Sequence, residues 1–317
     1  MKHLVVILIY GISLLSFPYV YSQDITSWQT SGNQSQLLKK QSDIIFNKGS
    51  GSSNTQIHIR QDVKFQEIDG FGWTLTQGSA KLINNLPEAL KNELLNELFN
   101  TTTGLGSNIV RIGIGATDLS EKPYTYHESA NDLNLEKFSL NGPDNDYLIP
   151  ILKKIVEINP NVKILATPWT APTWMKTNTN DNNKYIGGKL NEKYYASYAN
   201  YFIKYFEAMR VHGIKIWAIT PQNEPLHDGN EPSMKMTKEE QYNFIHNHLG
   251  PSIENSEFKH IKIIAYDHNC DNTDYPVYVS KSKYVDGSAF HLYDEESNVN
   301  ALTDVYNTTG KKLITTL

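Results

Sequence analysis

The sequence predicts an α/β protein built as a (β/α)8 barrel behind a short N-terminal β segment. Three observations carry this. From about residue 61 onward, short apolar runs alternate with amphipathic stretches roughly 12 to 20 residues long, the pattern of βα units around a parallel sheet. Polar and aromatic residues cluster just after four successive apolar runs, where a barrel gathers its functional groups. A doubly wound sheet would also alternate, but it concentrates binding behind a Gly-rich turn that opens a helix. Gly70-Phe71-Gly72 lacks the third glycine of that fingerprint, so the barrel is the better reading.

In chain order, the first element is an export signal. Lys2 and His3 precede a nearly continuous apolar run, Leu4 to Leu15, and Val20-Tyr21-Ser22 offers small residues for cleavage. The run is too short for a membrane span, which needs about 20 apolar residues. Residues 1–22 are therefore expected to be a signal peptide, with a mature protein exported to a periplasm, a cell surface or the medium. Residues 23–60 read as a polar β segment with strand-like runs at 25–30 and 56–59, and Asn47–Thr55 as a linker. Residues 61–317 form the barrel domain. Its strands are predicted at 67–73, 109–114, 163–168, 216–220, 262–267, 287–291 and 312–317. Helical spacing appears at 86–99, with leucines at 86, 90, 94, 95 and 98, and at 147–158, 194–212 and 238–249.

Composition removes several functions. Cleavage would remove only Lys2, moving the formal charge from −5 to −6, and acidic and basic residues are mixed with no basic stripe. Nucleic acid is thus not an expected partner. One cysteine, Cys270, excludes an internal disulfide framework and reads as a partly buried bystander. Asp267-His268-Asn269-Cys270 is dense in ligand types but has neither zinc nor calcium spacing, so no metal or other cofactor is expected. Asn33, Asn100 and Asn307 meet the glycosylation rule, which matters only in a eukaryotic secretory path.

The segment richest in chemistry is Trp217-Ala218-Ile219-Thr220-Pro221-Gln222-Asn223-Glu224-Pro225. A buried strand runs into a turn, and Pro225 disfavours helical geometry at Glu224. Glycoside hydrolysis needs a carboxylic acid to protonate the departing oxygen, its pKa raised by burial or a second carboxylate. Alone, a Glu-Pro pair is an ordinary loop acid; behind this strand and beside Asn223 it reads as a catalytic acid.

These residues resemble the acid/base signature of the retaining-glycosidase clan built on this barrel. Three further segments make the chain similar to glycoside hydrolase family 30, the family of glucosylceramidases and β-1,6-glucanases. They are Gln66–Gly72, Asn108–Ile114 leading to Asp118 and Tyr124-Thr125-Tyr126, and Ala166–Asn178. The resemblance implies Glu224 as general acid/base, Asn223 as a contact to the sugar 2-hydroxyl, and Trp169, His291 and Tyr293 as lining of the sugar pocket. Trp174 is read as core packing. The family's aspartate for the sugar's outer hydroxyls corresponds here to Gln77, which can bind hydroxyls but carries no charge. Leu292 replaces an aromatic of the family pattern.

The same resemblance places the nucleophile, at the end of the seventh strand, on Leu317. It thus implies a chain truncated at its C-terminus, an incomplete barrel expected to stop after strand 7 without the eighth strand, its helix and the family's β-sandwich. The polypeptide as written is therefore expected to lack normal retaining activity, to leave an unpaired strand edge and to fold poorly alone. Three functions remain open: a β-glucosidic enzyme acting on glucosylceramide or a β-1,6-linked glucan, a non-catalytic sugar-binding remnant, and an inert product. The expected partner is a carbohydrate or glycolipid, with no transmembrane segment.

Overall fold

The computed structural model describes residues 25–45, 58–140, 142–293 and 299–316. The predicted signal, the linker and Leu317 lie outside them. The chain forms two compact units that meet at Glu67/Ile68, where the sequence suggests 60/61. In the first, β1 (Trp28–Gln29) pairs antiparallel with β2 (Lys39–Lys40), and an Ile25–Ile44 bridge extends the ladder.

The second unit is the predicted barrel. Its main strands are β3 (Gly72–Leu75), β4 (Ile109–Gly113), β5 (Lys163–Thr167), β8 (Ile216–Ile219), β9 (Lys262–Asn269), β10 (Val285–His291) and β11 (Lys312–Thr315). They form one parallel sheet in chain order, seven strands of the barrel among the described residues. Between them run α1 (Gln77–Asn84), α2 (Glu88–Phe99), α3 (Ile149–Ile158), α4 (Tyr195–Val211), α5 (Lys238–Phe244), α6 (Gly250–Glu254), α7 (Asp274–Val279) and α8 (Asn300–Thr309). Among the described residues no helix is long and apolar enough to cross a membrane.

Two apolar layers follow from strand alternation. Leu165, Ala218, Ile264 and Ala289 point inward from β5, β8, β9 and β10 and pack together with Ile314 of β11. The opposite faces pack on the helices. In α4, Tyr195, Tyr198, Ala199, Phe202, Tyr205, Phe206 and Met209 are buried at helical spacing. Their rings continue into Tyr126 and Phe244.

The first strand starts later than predicted. Gly70 has φ +152°, and a Cβ there would lie 1.9 Å from Asn108 Oδ1. In place of a ladder, the Asn108 side chain accepts from the Phe71 N–H and donates to the Asp69 carbonyl. Regular pairing begins only at Gly72, opposite Ile109. The leucine face expected on α2 is also rotated: Leu90 is exposed, while Lys91, Leu95 and Phe99 face inward. Two predicted helices contain a wider π turn, Asp144–Leu148 before α3 and Ile245–Leu249 between α5 and α6.

An unpredicted hairpin, β6 (Lys176–Asn180) and β7 (Asn183–Leu190), rises from the loop after β5. Its anchor is Lys176, a buried ammonium donating to Thr170 Oγ1 and to the carbonyls of Lys184, Tyr185 and Ser233. Burial pulls its pKa down to about 7. Lys176 thereby joins the residue after Trp169, the hairpin and the loop after Glu224.

Candidate active site

The turn carrying Glu224 is fixed by backbone bonds to both neighbouring strands. The Asn223 N–H donates to the Pro168 carbonyl beyond β5, and the Glu224 N–H donates to the Asp267 carbonyl of β9, at 2.8 and 2.9 Å. The Gln222 amide donates to the Trp169 carbonyl at 2.7 Å. Glu224 itself adopts φ +45°, and Tyr266 and Asp267 beside it adopt +74° and +65°. Three left-handed non-glycine residues at one place mark a backbone held against its preference.

Asp267 is the hub. Its carboxylate is fully buried and accepts four side-chain bonds from four strands or their ends. Arg111 of β4 and Thr220 after β8 donate to Oδ2 at 2.9 and 2.7 Å. Thr316 after β11 donates to Oδ1 at 2.6 Å, and His291 Nε2 lies 3.1 Å from the same oxygen. Burial is the largest single influence and would raise its pKa. The Arg111 charge and the bonds from His291 and Thr316 outweigh burial and hold it well below the usual carboxylate range.

The second nitrogen of His291, Nδ1, lies 3.1 Å from Glu224 Oε1. The Glu224 side chain is 16% exposed, and Asn230 Nδ2 reaches its other oxygen at 3.5 Å. A raised pKa was expected for this acid; the structure lowers it. The hydrogen bond with His291 is the main cause, partial burial opposes it, and the charges of His291, His268 and His227 add to it. His291 shifts the other way. Burial opposes its charged form, but the bonds to Asp267 and Glu224 prevail and raise its pKa.

The other expected site residues divide. Asn223 is buried, with its amide oxygen held by Arg111 at 2.7 Å. Trp169 is buried against the Arg111 guanidinium, 4.9 Å from the ring centre, so that face is covered by protein. Tyr293 is exposed and meets the His291 ring edge-on at 5.3 Å. Gln77, by contrast, belongs to a separate closed network. Its amide donates to the Gly115 carbonyl and to Asp144 Oδ1, and its oxygen accepts from Ser120. With 2% exposure and both amide hydrogens bonded within the protein, Gln77 has little left to offer a sugar hydroxyl. Trp174 packs edge-on against His127 and Tyr194. Cys270 is buried, its thiol directed at the His291 carbonyl.

Arg111, Thr220 and Thr316 were not singled out as site residues from the sequence. A signal existed for the first: Arg111 is the one charged residue in the apolar run 109–114.

Residues 68–316 match the glycosyl hydrolase family 30 TIM-barrel domain. The chain belongs to glycoside hydrolase family 30. It is 36% identical over 248 residues to an endo-1,6-β-D-glucanase of Neurospora crassa, covering 76% of this chain and 51% of the relative. It is 32% identical over 261 residues to a putative glucosylceramidase 1 of Caenorhabditis elegans, covering 78% and 49%. The solved structure of the endo-β1,6-glucanase BT3312 superposes with a TM-score of 0.81 at 32% identity, covering 92% of this chain and 65% of that one. The chain spans about half the length of the curated relatives it matches.

Proposed function

We propose that this family 30 chain acts on β-glucosidic bonds with Glu224 as general acid/base. The observation that carries the proposal is the placement of Glu224. Its carboxyl stands half-buried at the ends of the strands, bonded to His291, while Arg111 orients the neighbouring Asn223 so that its amide nitrogen is left for a sugar hydroxyl. A retaining glycosidase needs a second carboxylate about 5 to 5.5 Å away. The family resemblance assigns that place to Leu317, outside the described residues.

The experiment uses an aryl β-glucoside, β-1,6-glucan and glucosylceramide as substrates. The chain as written is expected to turn over none of them, and Leu317→Glu is expected to confer retaining hydrolysis. Adding Glu224→Gln should then reduce turnover on the order of 10²–10⁴-fold. Full turnover by the unaltered chain would overturn the nucleophile assignment. Glucoside binding that persists in Glu224→Gln, with no turnover in any variant, would identify a sugar-binding protein instead. Relatives named for both kinds of enzyme support the two natural substrates alike, and the product assay separates them. Export is part of the same proposal: a secreted protein beginning at Gln23, read by N-terminal sequencing, is the expected result.

A further inference from the structure

A general acid must carry a proton when the leaving oxygen arrives, yet the neighbours of Glu224 favour its carboxylate. The geometry shows where the proton can be kept. Both ring nitrogens of His291 face carboxyl oxygens at 3.1 Å, Nε2 toward Asp267 and Nδ1 toward Glu224. Asp267 already accepts from Arg111, Thr220 and Thr316. An ionised carboxylate can only accept, so His291 Nε2 must carry a hydrogen. The tautomer is thereby fixed, and Nδ1 is left to Glu224.

We propose that Asp267 and His291 are positioning residues that keep one proton shared between His291 Nδ1 and Glu224 Oε1, so that the imidazole stores the proton Glu224 delivers. The inference rests on Glu224 being the acid/base. In one microstate Nδ1–H donates to the Glu224 carboxylate; in the other a Glu224 O–H donates to neutral Nδ1. In Leu317→Glu, the introduced carboxylate bonds the anomeric carbon as the glycosidic C–O bond breaks, and the electron pair of that bond stays on the leaving oxygen. That oxygen takes the proton from Glu224, and His291 remains neutral with Nε2–H toward Asp267. When water later attacks the anomeric carbon and releases that carboxylate, its proton passes to Glu224 and back to Nδ1. A pair of this kind titrates as a unit.

The directions of the two pKa shifts, His291 upward and Glu224 downward, agree with storage on the imidazole. The other groups acting on the pair come from several elements. His268 follows the left-handed turn of β9, His227 and Asn230 belong to the loop after Glu224, and Arg111 acts from β4. Tyr293 stands beside the His291 ring and is itself acted on by Asp118.

Side-chain ¹⁵N NMR of the full chain tests this without turnover. His291 should hold a hydrogen on Nε2 throughout the titration, gaining its second on Nδ1. Glu224→Gln should lower the His291 pKa by about one pH unit or more, since an anion in contact is removed. In Asp267→Asn the oxygen is kept by Arg111 and the amide faces Nε2, so the neutral tautomer should switch to Nδ1–H. A purely structural Asp267 would leave the tautomer unmoved. An Nδ1–H tautomer in the unaltered chain, or a His291 pKa indifferent to Glu224→Gln, overturns the proposal. Should Asp267→Asn fail to fold, Glu224→Gln at the rim still decides. Failure of the glycosidase proposal reads out separately, as turnover by Leu317→Glu that Glu224→Gln leaves unchanged.

Discussion

Two aspartates tie the barrel's strands together from opposite ends, and they do so differently. Asp69 lies just before β3 at the foot of the barrel, where Lys163 opens β5 and Lys312 opens β11. It pairs with Lys163 at 2.7 Å and also with Lys312, so it ties β3 to β5 and to β11, with which β3 has no backbone pairing among the described residues. Asp267 lies at the mouth, where Arg111, His291, Thr220 and Thr316 converge on it. The Asp69 side chain is 24% exposed and Asp267 is at 0%. The foot needs opposite charge, supplied by flexible ammonium groups in contact with water. The mouth needs direction, supplied by donors whose angles decide which atom faces Glu224. An ionic clasp can tolerate loose geometry; a proton-handling cluster cannot.

The comparison predicts unequal consequences. Asp267→Ala leaves Arg111 without its buried counterion and should cost about 3–5 kcal/mol in urea unfolding. A loss as small as that of Asp69→Ala would break the distinction. Asp144 sharpens it, being as buried as Asp267 but, among the described residues, without a cation in contact. Burial pushes its pKa up to about 6, against bonds from tyrosines and Gln77 that lower it. The folded state therefore binds this proton more tightly than the unfolded chain, with stability highest below about pH 4 and declining as pH rises through 6. Asp144→Asn should gain up to about 3 kcal/mol at pH 8, from a shift of roughly two pH units, with the gain vanishing toward pH 4. Asp69 has the opposite sign. Its bonds to Lys163 and Lys312 bring its pKa down to about 2, so its contribution is complete above about pH 4 and is lost as pH falls through 2. Solvent screening keeps Asp69→Asn to about 1 kcal/mol or less, shrinking further in 1 M salt.

Six of the seven barrel strands were legible in the sequence because apolar runs buried on both faces stand out from their surroundings. The first was misplaced because Asn108 replaces strand pairing at Gly70, a long-range contact that no local pattern encodes. The β6–β7 hairpin was invisible for a related reason. Residues 176–190 show no apolar alternation in the sequence, and what orders them is the Lys176 ammonium collecting carbonyls of Lys184 and Ser233. At the site, Glu224 and Asn223 could be read from a strand running into a turn. The role of Asp267 could not, since it arises only when four strand ends meet. Position in a motif points Gln77 toward the sugar, but its partners, Gly115 and Asp144, lie outside that motif.

The left-handed backbone at Glu224, Tyr266 and Asp267 bears on how this protein could be engineered. Each such residue costs on the order of 1–3 kcal/mol, but glycine would recover that only at half-buried Glu224; at Asp267 it would strip Arg111 of its counterion, and at Tyr266 it would leave a large cavity. Two of them carry carboxylates that the proposed chemistry uses, and the third is a fully buried tyrosine whose hydroxyl donates to the Asn269 carbonyl. At Glu224, selection for heat resistance and selection for turnover would thus pull one codon in opposite directions. A stabilised variant that kept its chemistry would have to find its gains elsewhere, on the outer face of the helices or at the lysine-rich foot.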